Sequence, residues 1–151
     1  MLESALPMPT IDVVIPVYNE EESLLAFHNA LKQIGDPANY TRRYIYVNDG
    51  SEDGTQRILE ELAANDNRVT IIQLSRNFGH QAALSAGLEA AEGDIIITMD
   101  GDGQHPPSLI PEMLRLHETG YDIVKAQRLD ETHSGSLFKR MTSHTMNGQT
   151  R

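Results

Sequence analysis

The chain has 151 residues, of which 39% are apolar and 23% charged, the composition of a single soluble domain able to bury a core. A formal net charge of −10 argues against nucleic acid as a partner, because phosphate backbones need clustered Lys and Arg, but leaves room for a phosphorylated ligand carried by a divalent cation. There is no cysteine, hence no disulfide framework or thiolate chemistry, and no apolar run reaches the ~18 residues of a membrane span.

Met1 to Thr10 has neither a basic n-region nor an apolar core, so it reads as an N-terminal tail rather than a signal peptide, and a cytoplasmic location is expected. Ile11 to Ile15 is a β-branched run ended by Pro16 and reads as a buried strand. Asn19 is placed as the N-cap of the next helix, with Glu22 completing a capping box. Leu24, Phe27, Leu31 and Ile34 follow at helical spacing and predict one buried face, closed by Gly35-Asp36-Pro37.

The pattern recurs. Tyr44 to Val47 is a strand, and a helix carrying Ile58, Leu59 and Leu62 follows the turn Asn48-Asp49-Gly50-Ser51. Val69 to Leu74 is the third strand. Gln81 to Ala91 is a small-residue helix with Leu84, Gly87 and Leu88 on one side. Asp94 to Met99 is the fourth strand. Ser108 to His117 is a helix with Leu109, Met113 and Leu114 inward, and Tyr121 to Ala126 is a fifth strand. From Leu129 to Arg151 the chain is polar, only Leu137 to Met141 hints at a short helix, and partial order is expected.

Strands that alternate with helices and are apolar on both faces predict an α/β fold of Rossmann type, with a mainly parallel sheet covered by helices on both sides. Such sheets bind ligands outside the carboxyl ends of their strands. Five polar loops fall there: Tyr18-Asn19-Glu20, Asn48 to Ser51, Ser75 to His80, Asp100 to His105, and Gln127-Arg128.

Asp100-Gly101-Asp102 is the first candidate site. Two carboxylates flanking a glycine suit Mg²⁺ or Mn²⁺, and the metal would neutralise a diphosphate leaving group. A bare Asp-x-Asp pair is near chance frequency; its place at a strand end among other polar loops gives it meaning. Asp49-Gly50-Ser51-Glu52-Asp53-Gly54 with Glu60 also has the spacing of a calcium loop, although the preceding segment reads as strand where that motif needs a helix. The other reading is a strand-to-helix turn, with Asp49 facing a ligand and Asp53 or Ser51 capping the helix. Arg76 either faces a phosphate or belongs to a polar loop with Phe78 as a core plug. His105 is either a metal or phosphate partner or a structural residue of the Pro-Pro turn. Arg128 is a diphosphate clamp or an exposed strand-end residue. No Walker loop, Gly-x-Gly-x-x-Gly fingerprint or Ser/His/Asp nucleophile set is present, and no catalytic residue is assigned.

Four segments, Val14 to Glu21, Val47 to Thr55, Ser75 to Ala83 and Met99 to Pro107, together resemble family 2 glycosyltransferases of the GT-A fold. The likeness is greatest to dolichyl-phosphate mannosyltransferases and bacterial polyprenyl-phosphate glycosyltransferases. The resemblance implies that residues 11–128 form a domain binding a UDP- or GDP-sugar. Pro16, Tyr18 and Glu20 would border the nucleoside, with Asp49 hydrogen-bonding the base. Asp100, Asp102 and Gln104 would hold Mg²⁺ or Mn²⁺ against the diphosphate, Gly101 would lie between the two carboxylates, and Arg128 would contact the phosphates. The family usually has Asp-Asp-Gly-Ser where this chain has Asn48-Asp49-Gly50-Ser51. The implied reaction is inverting transfer to a polyprenyl or dolichyl phosphate at the cytoplasmic face of a membrane. Relatives continue for ~100 residues or more through acceptor-binding segments. Residues 129–151 therefore read as the start of a missing acceptor region, and a non-catalytic nucleotide-sugar-binding fragment is the alternative. A homo-oligomer is compatible with these expectations.

Overall fold

In the computed structural model, the described residues are 8–34, 40–102, 106–121, 123–128 and 138–143. The chain divides into two compact units, Met1–Pro106 and Pro107–Arg151.

The first unit is organised by its first strand. β1 (Thr10–Val17) is buried from Ile11 onward on both faces, as a largely apolar sequence interrupted by Asp12 allows once that carboxylate is paired. It pairs in parallel with β2 (Thr41–Asn48) from Thr10↔Thr41 to Val17↔Asn48. β2 pairs in parallel with β3 (Val69–Gln73), Tyr44 opposite Val69. On its other side β1 pairs with β4 (Ile95–Thr98), Ile11 opposite Ile95. The order is β3-β2-β1-β4. The chain moves outward through three strands and then returns to the far side of β1. This reversal makes a topological switch point between β1 and β4, where the loops leaving two adjacent strands part and open a crevice.

Helices cover both faces. α1 (Leu24–Gln33) buries Leu24, Phe27 and Leu31, as the spacing predicts, and also His28, while Ile34 is only half-buried. His28 faces Tyr44 and Tyr46 of β2, with its Nδ1 2.7 Å from the Tyr46 hydroxyl. α2 (Thr55–Asn65) buries Thr55 and Leu59. The alternate residues of β2, Ile45 and Val47, face the opposite side and pack with Val14 and with Ala83 of α3 (His80–Ala90). Gly87 allows that close approach, since a Cβ there would lie 2.4 Å from Val14 Cγ1 and 3.0 Å from Val47 Cγ2. Leu88, expected on the buried side, is 40% exposed because the contact is centred on Ala83 and Gly87.

A second anchor lies at the amino edge of the sheet. Asp12 is buried and accepts a bidentate pair from Arg43, at 2.8 and 3.0 Å, plus the backbone N–H groups of Glu92 and Gly93 at 2.8 Å each. Burial alone raises its pKa, but these four donors outweigh it and the net shift is downward.

Several expectations are corrected. Asn19 does not cap α1: it takes a left-handed conformation (φ 51), one turn precedes the helix, and Ser23 stands at the N-cap. The fifth strand does not join the parallel sheet. In the second unit, a 3-10 turn (Pro107–Leu109) leads into α4 (Ile110–Glu118), which buries Ile110 and Leu114 while Leu109 and Met113 are half-buried. β5 (Ile123–Arg128) then pairs antiparallel with β6 (Phe138–Ser143). The helix hinted at around Phe138 to Met141 is therefore a strand, its weak local preference overridden by pairing with β5.

Candidate functional site

The carboxyl ends of β1 to β4 deliver four loops to the crevice, and hydrogen bonds tie three of them together. The loop after β1 is laced to the loop after β2. The Asn19 N–H donates to Ser51 Oγ at 2.9 Å, and the Glu52 N–H donates to Asn19 Oδ1 at 2.8 Å. Glu20 N–H donates to Thr55 Oγ1 at 2.9 Å, and Gly54 N–H to Glu21 Oε2 at 2.9 Å. Asn tolerates the left-handed backbone that aims its side chain across this seam. Asn48 stays inside its own turn, accepting from Ser51 N–H and donating to Gln56 Oε1.

The loop after β2 is joined in turn to the loop after β3. Asp49 is 4% exposed, and its carboxylate accepts the backbone N–H groups of Phe78 at 2.8 Å and Gly79 at 3.1 Å. Gly50 (φ +69) lies under that loop, where a Cβ would stand 2.2 Å from the Arg76 carbonyl carbon. Only glycine fits both the backbone angle and the space. Phe78 is not the core plug that one reading of this loop expected. Phe78 is 47% exposed, and the Arg76 guanidinium stacks 4.1 Å from its ring centroid.

The end of β4 completes the crevice. Gly101 is buried against Val17 and Ile15, and a Cβ would come 2.7 Å from Val17 Cγ1, so the residue between the two aspartates is packed against β1. His80, the first residue of α3, places Nε2 2.7 Å from Asp100 Oδ1.

The result is an open cleft of about 230 Å³. Pro16, Tyr18 and Glu20 line it, as do Asp100, Gly101 and Asp102. Asp49 and the start of α3, with Asn77, Gly79, His80 and Ala83, supply the rest. Pro16, Tyr18, Glu20, Asp49, Asp100, Gly101 and Asp102, all singled out from the sequence, thus border one cavity, whereas Arg76 is not among its lining residues. Gln104 and His105 lie outside the described residues, as does the side chain of Arg128 at the end of β5. Asn77, His80 and Ala83 were not singled out as site residues. Their available signal was position, straddling the Gly79 turn into a helix after a strand end.

The calcium-loop reading fails on geometry. β2 runs to Asn48, so no helix precedes the loop. Asp49 is turned to Phe78 and Gly79, while Asp53 accepts the N–H groups of Thr55 and Glu21. Asp53 thereby serves the start of α2, as the alternative reading expected, and Ser51 serves Asn19 instead.

The cleft is acidic: Glu20, Asp49, Asp100 and Asp102 line it. A diphosphate set against four carboxylates is repelled unless a cation stands between them. The donor set fits a hard divalent ion, since Asp100 and Asp102 offer carboxylate oxygens across a fixed glycine. Among the described residues no group of three or more His, Cys, Asp or Glu could hold a metal by itself.

Comparison with known proteins identifies the architecture. Residues 12–151 match Glycosyl transferase family 2. The chain belongs to that family. Glycosyltransferase YkcC of Bacillus subtilis (strain 168) is 41% identical over 131 residues, covering 87% of this chain and 40% of the relative. A prophage bactoprenol glucosyl transferase homolog of Escherichia coli (strain K12) is 39% identical over 133 residues, covering 88% and 43%. This family 2 chain thus spans about two fifths of the length of the curated relatives it matches. Among solved structures, S. aureus TarS 1-349 with UDP-GlcNAc aligns with a TM-score of 0.64 at 24% identity, over 80% of this chain and 34% of that one. The mannosyltransferase PcManGT of Pyrobaculum calidifontis, in complex with GDP-Man and Mn²⁺, aligns with a TM-score of 0.57 at 23% identity, over 64% and 28%. The GT-A fold implied by the sequence motifs is the fold observed. No helix among the described residues is long and apolar enough to cross a membrane.

Proposed function

We propose that this chain is the donor-binding part of an inverting glycosyltransferase that takes a UDP- or GDP-sugar through Mg²⁺ or Mn²⁺. One observation carries the reading: the Asp100-Gly101-Asp102 turn and Pro16, Tyr18 and Glu20 of the loop after β1 line one cleft at the switch point. Pro16, Tyr18 and Glu20 border the nucleoside. Asp49 stands at the base side of the cleft while holding the loop before α3. Asp100 and Asp102 hold the metal, Gln104 adds an oxygen ligand, and Arg128 contacts the phosphates. When bound, the metal offsets the charge that develops on the departing nucleoside diphosphate.

The acceptor proposed for the whole transferase is a polyprenyl phosphate at the cytoplasmic face of a membrane, a proposal supported by relatives named for bactoprenol and undecaprenyl phosphate. An acceptor phosphate oxygen bonds to the anomeric carbon as the bond to the diphosphate oxygen breaks, and the electron pair leaves on that oxygen. The acceptor is already anionic near neutral pH, so no strong base is required.

A second reading is a nucleotide-sugar binder without transfer. Titration calorimetry of UDP and GDP, with Mn²⁺ and with chelator, tests the donor site. Binding that requires metal and is lost in Asp102→Asn supports it; no binding of either nucleotide with metal present refutes it. Sugar transfer to a polyprenyl phosphate by the binding-competent chain separates the two readings.

A further inference from the structure

His80 has no role in the reading above, yet its contact is directed at the centre of the site. It is the first residue of α3, and its Nε2 lies 2.7 Å from Asp100 Oδ1. An ionised carboxylate only accepts hydrogen bonds, so the imidazole supplies the hydrogen. The contact spans 20 residues of sequence and joins two different loops. Both side chains are well exposed, at 55% and 32%, and exposed pairs contribute little to folding. The contact is therefore better explained by what it does to Asp100 than by stability.

We propose that His80 is a positioning residue, holding the Asp100 carboxylate by Oδ1 in the orientation that offers its remaining lone pairs to a divalent cation. This rests on the donor-site reading above. A carboxylate has about four acceptor positions, so the bond to His80 orients the group without exhausting it. Outer partners of this kind orient metal ligands and raise affinity. The support for His80 is itself fixed. Gly79, immediately before it, gives its N–H to buried Asp49 at the end of β2. Asp49 thus sets the loop, the loop sets His80, and His80 sets Asp100.

The test compares wild type with His80→Ala and His80→Gln, whose amide nitrogen reaches about as far as Nε2. Mn²⁺ is titrated into each protein with UDP or GDP present, and free Mn²⁺ is read by electron paramagnetic resonance. His80→Ala is expected to weaken Mn²⁺ binding by about 10- to 100-fold, the usual effect of removing such a partner. His80→Gln is expected to recover most of it, and the urea midpoints of all three proteins to agree. Unchanged Mn²⁺ affinity in His80→Ala overturns the proposal. So does tighter binding, which would make His80 a competing counter-charge, and so does a Gln variant no better than Ala. A wild type with no Mn²⁺-dependent nucleotide binding overturns the donor-site reading itself, a different result from either.

Discussion

Asp49→Ala removes a buried carboxylate that accepts the N–H groups of Phe78 and Gly79 at 2.8 and 3.1 Å. Hydrogen bonds to a charged group contribute about 1.5–3 kcal/mol each. Two of them set an upper range of about 3–6 kcal/mol, and because Phe78 is exposed, water replaces part of the loss. The expected destabilisation is therefore about 3 kcal/mol. With a urea slope of about 2 kcal/mol/M, the midpoint falls by about 1.5 M. The loop itself gives the more specific signal: the Phe78 and Gly79 amides lose hydrogen-exchange protection, while those in the middle of β1 change only with global stability. Asp49→Asn does not rescue, because its amide sets a donor against one of the two N–H groups. A loss below about 0.5 kcal/mol with both amides still protected would refute the clamp and the chain of support drawn through His80.

Asp12→Ala orphans the Glu92 and Gly93 N–H groups and removes the Asp12 partner of the half-exposed Arg43 guanidinium, and is expected to cost about 2–4 kcal/mol in urea unfolding. The downward shift of Asp12 means its stabilisation is full above pH ~4 and fades as pH falls through the lowered folded pKa, a loss that Asp12→Asn should not show. His28 is shifted downward, chiefly by burial, with Lys32 and Arg68 adding to the shift and Asp66 opposing it. The folded state then resists the proton that the unfolded chain takes up below pH ~6.5, so stability falls between pH 6.5 and the lowered folded pKa, by up to about 1.4 kcal/mol per unit. Urea midpoints at pH 7.5 and 5.5 read this slope, and His28→Gln should flatten it. Gly87→Ala drives a Cβ into Val14 and Val47 and is expected to destabilise by about 1–2 kcal/mol net of its better helix propensity, measured by thermal unfolding.

The fold was legible where local pattern and tertiary context agree. Ile11 to Ile15 and Tyr44 to Val47 are apolar on both faces, a pattern that suits strands inside a covered parallel sheet, and both are central. The site was legible because strand ends can be read from sequence, and such sheets bind at the carboxyl ends. What failed was decided by contacts at long separation. Asn19 fits a capping pattern, but Ser51 and Glu52 draw it across to another loop. Leu88 has the periodicity of a buried residue, yet the helix approaches the sheet through Gly87. The pairing of β5 with β6 has no local signal in a polar segment. His80 reads as an ordinary polar residue at a helix start until β4 brings Asp100 beside it.

The central claim is that Asp100 and Asp102 bind a divalent cation together with a nucleoside diphosphate. A crystal structure with Mn²⁺ and UDP or GDP, read by manganese anomalous scattering, tests it most directly. The account predicts one anomalous peak about 2.0–2.2 Å from carboxylate oxygens of both aspartates, with diphosphate oxygens completing the shell and the nucleoside against Pro16 and Tyr18. A nucleotide bound in the cleft with no metal at Asp100 and Asp102, or a metal seated elsewhere, would contradict it.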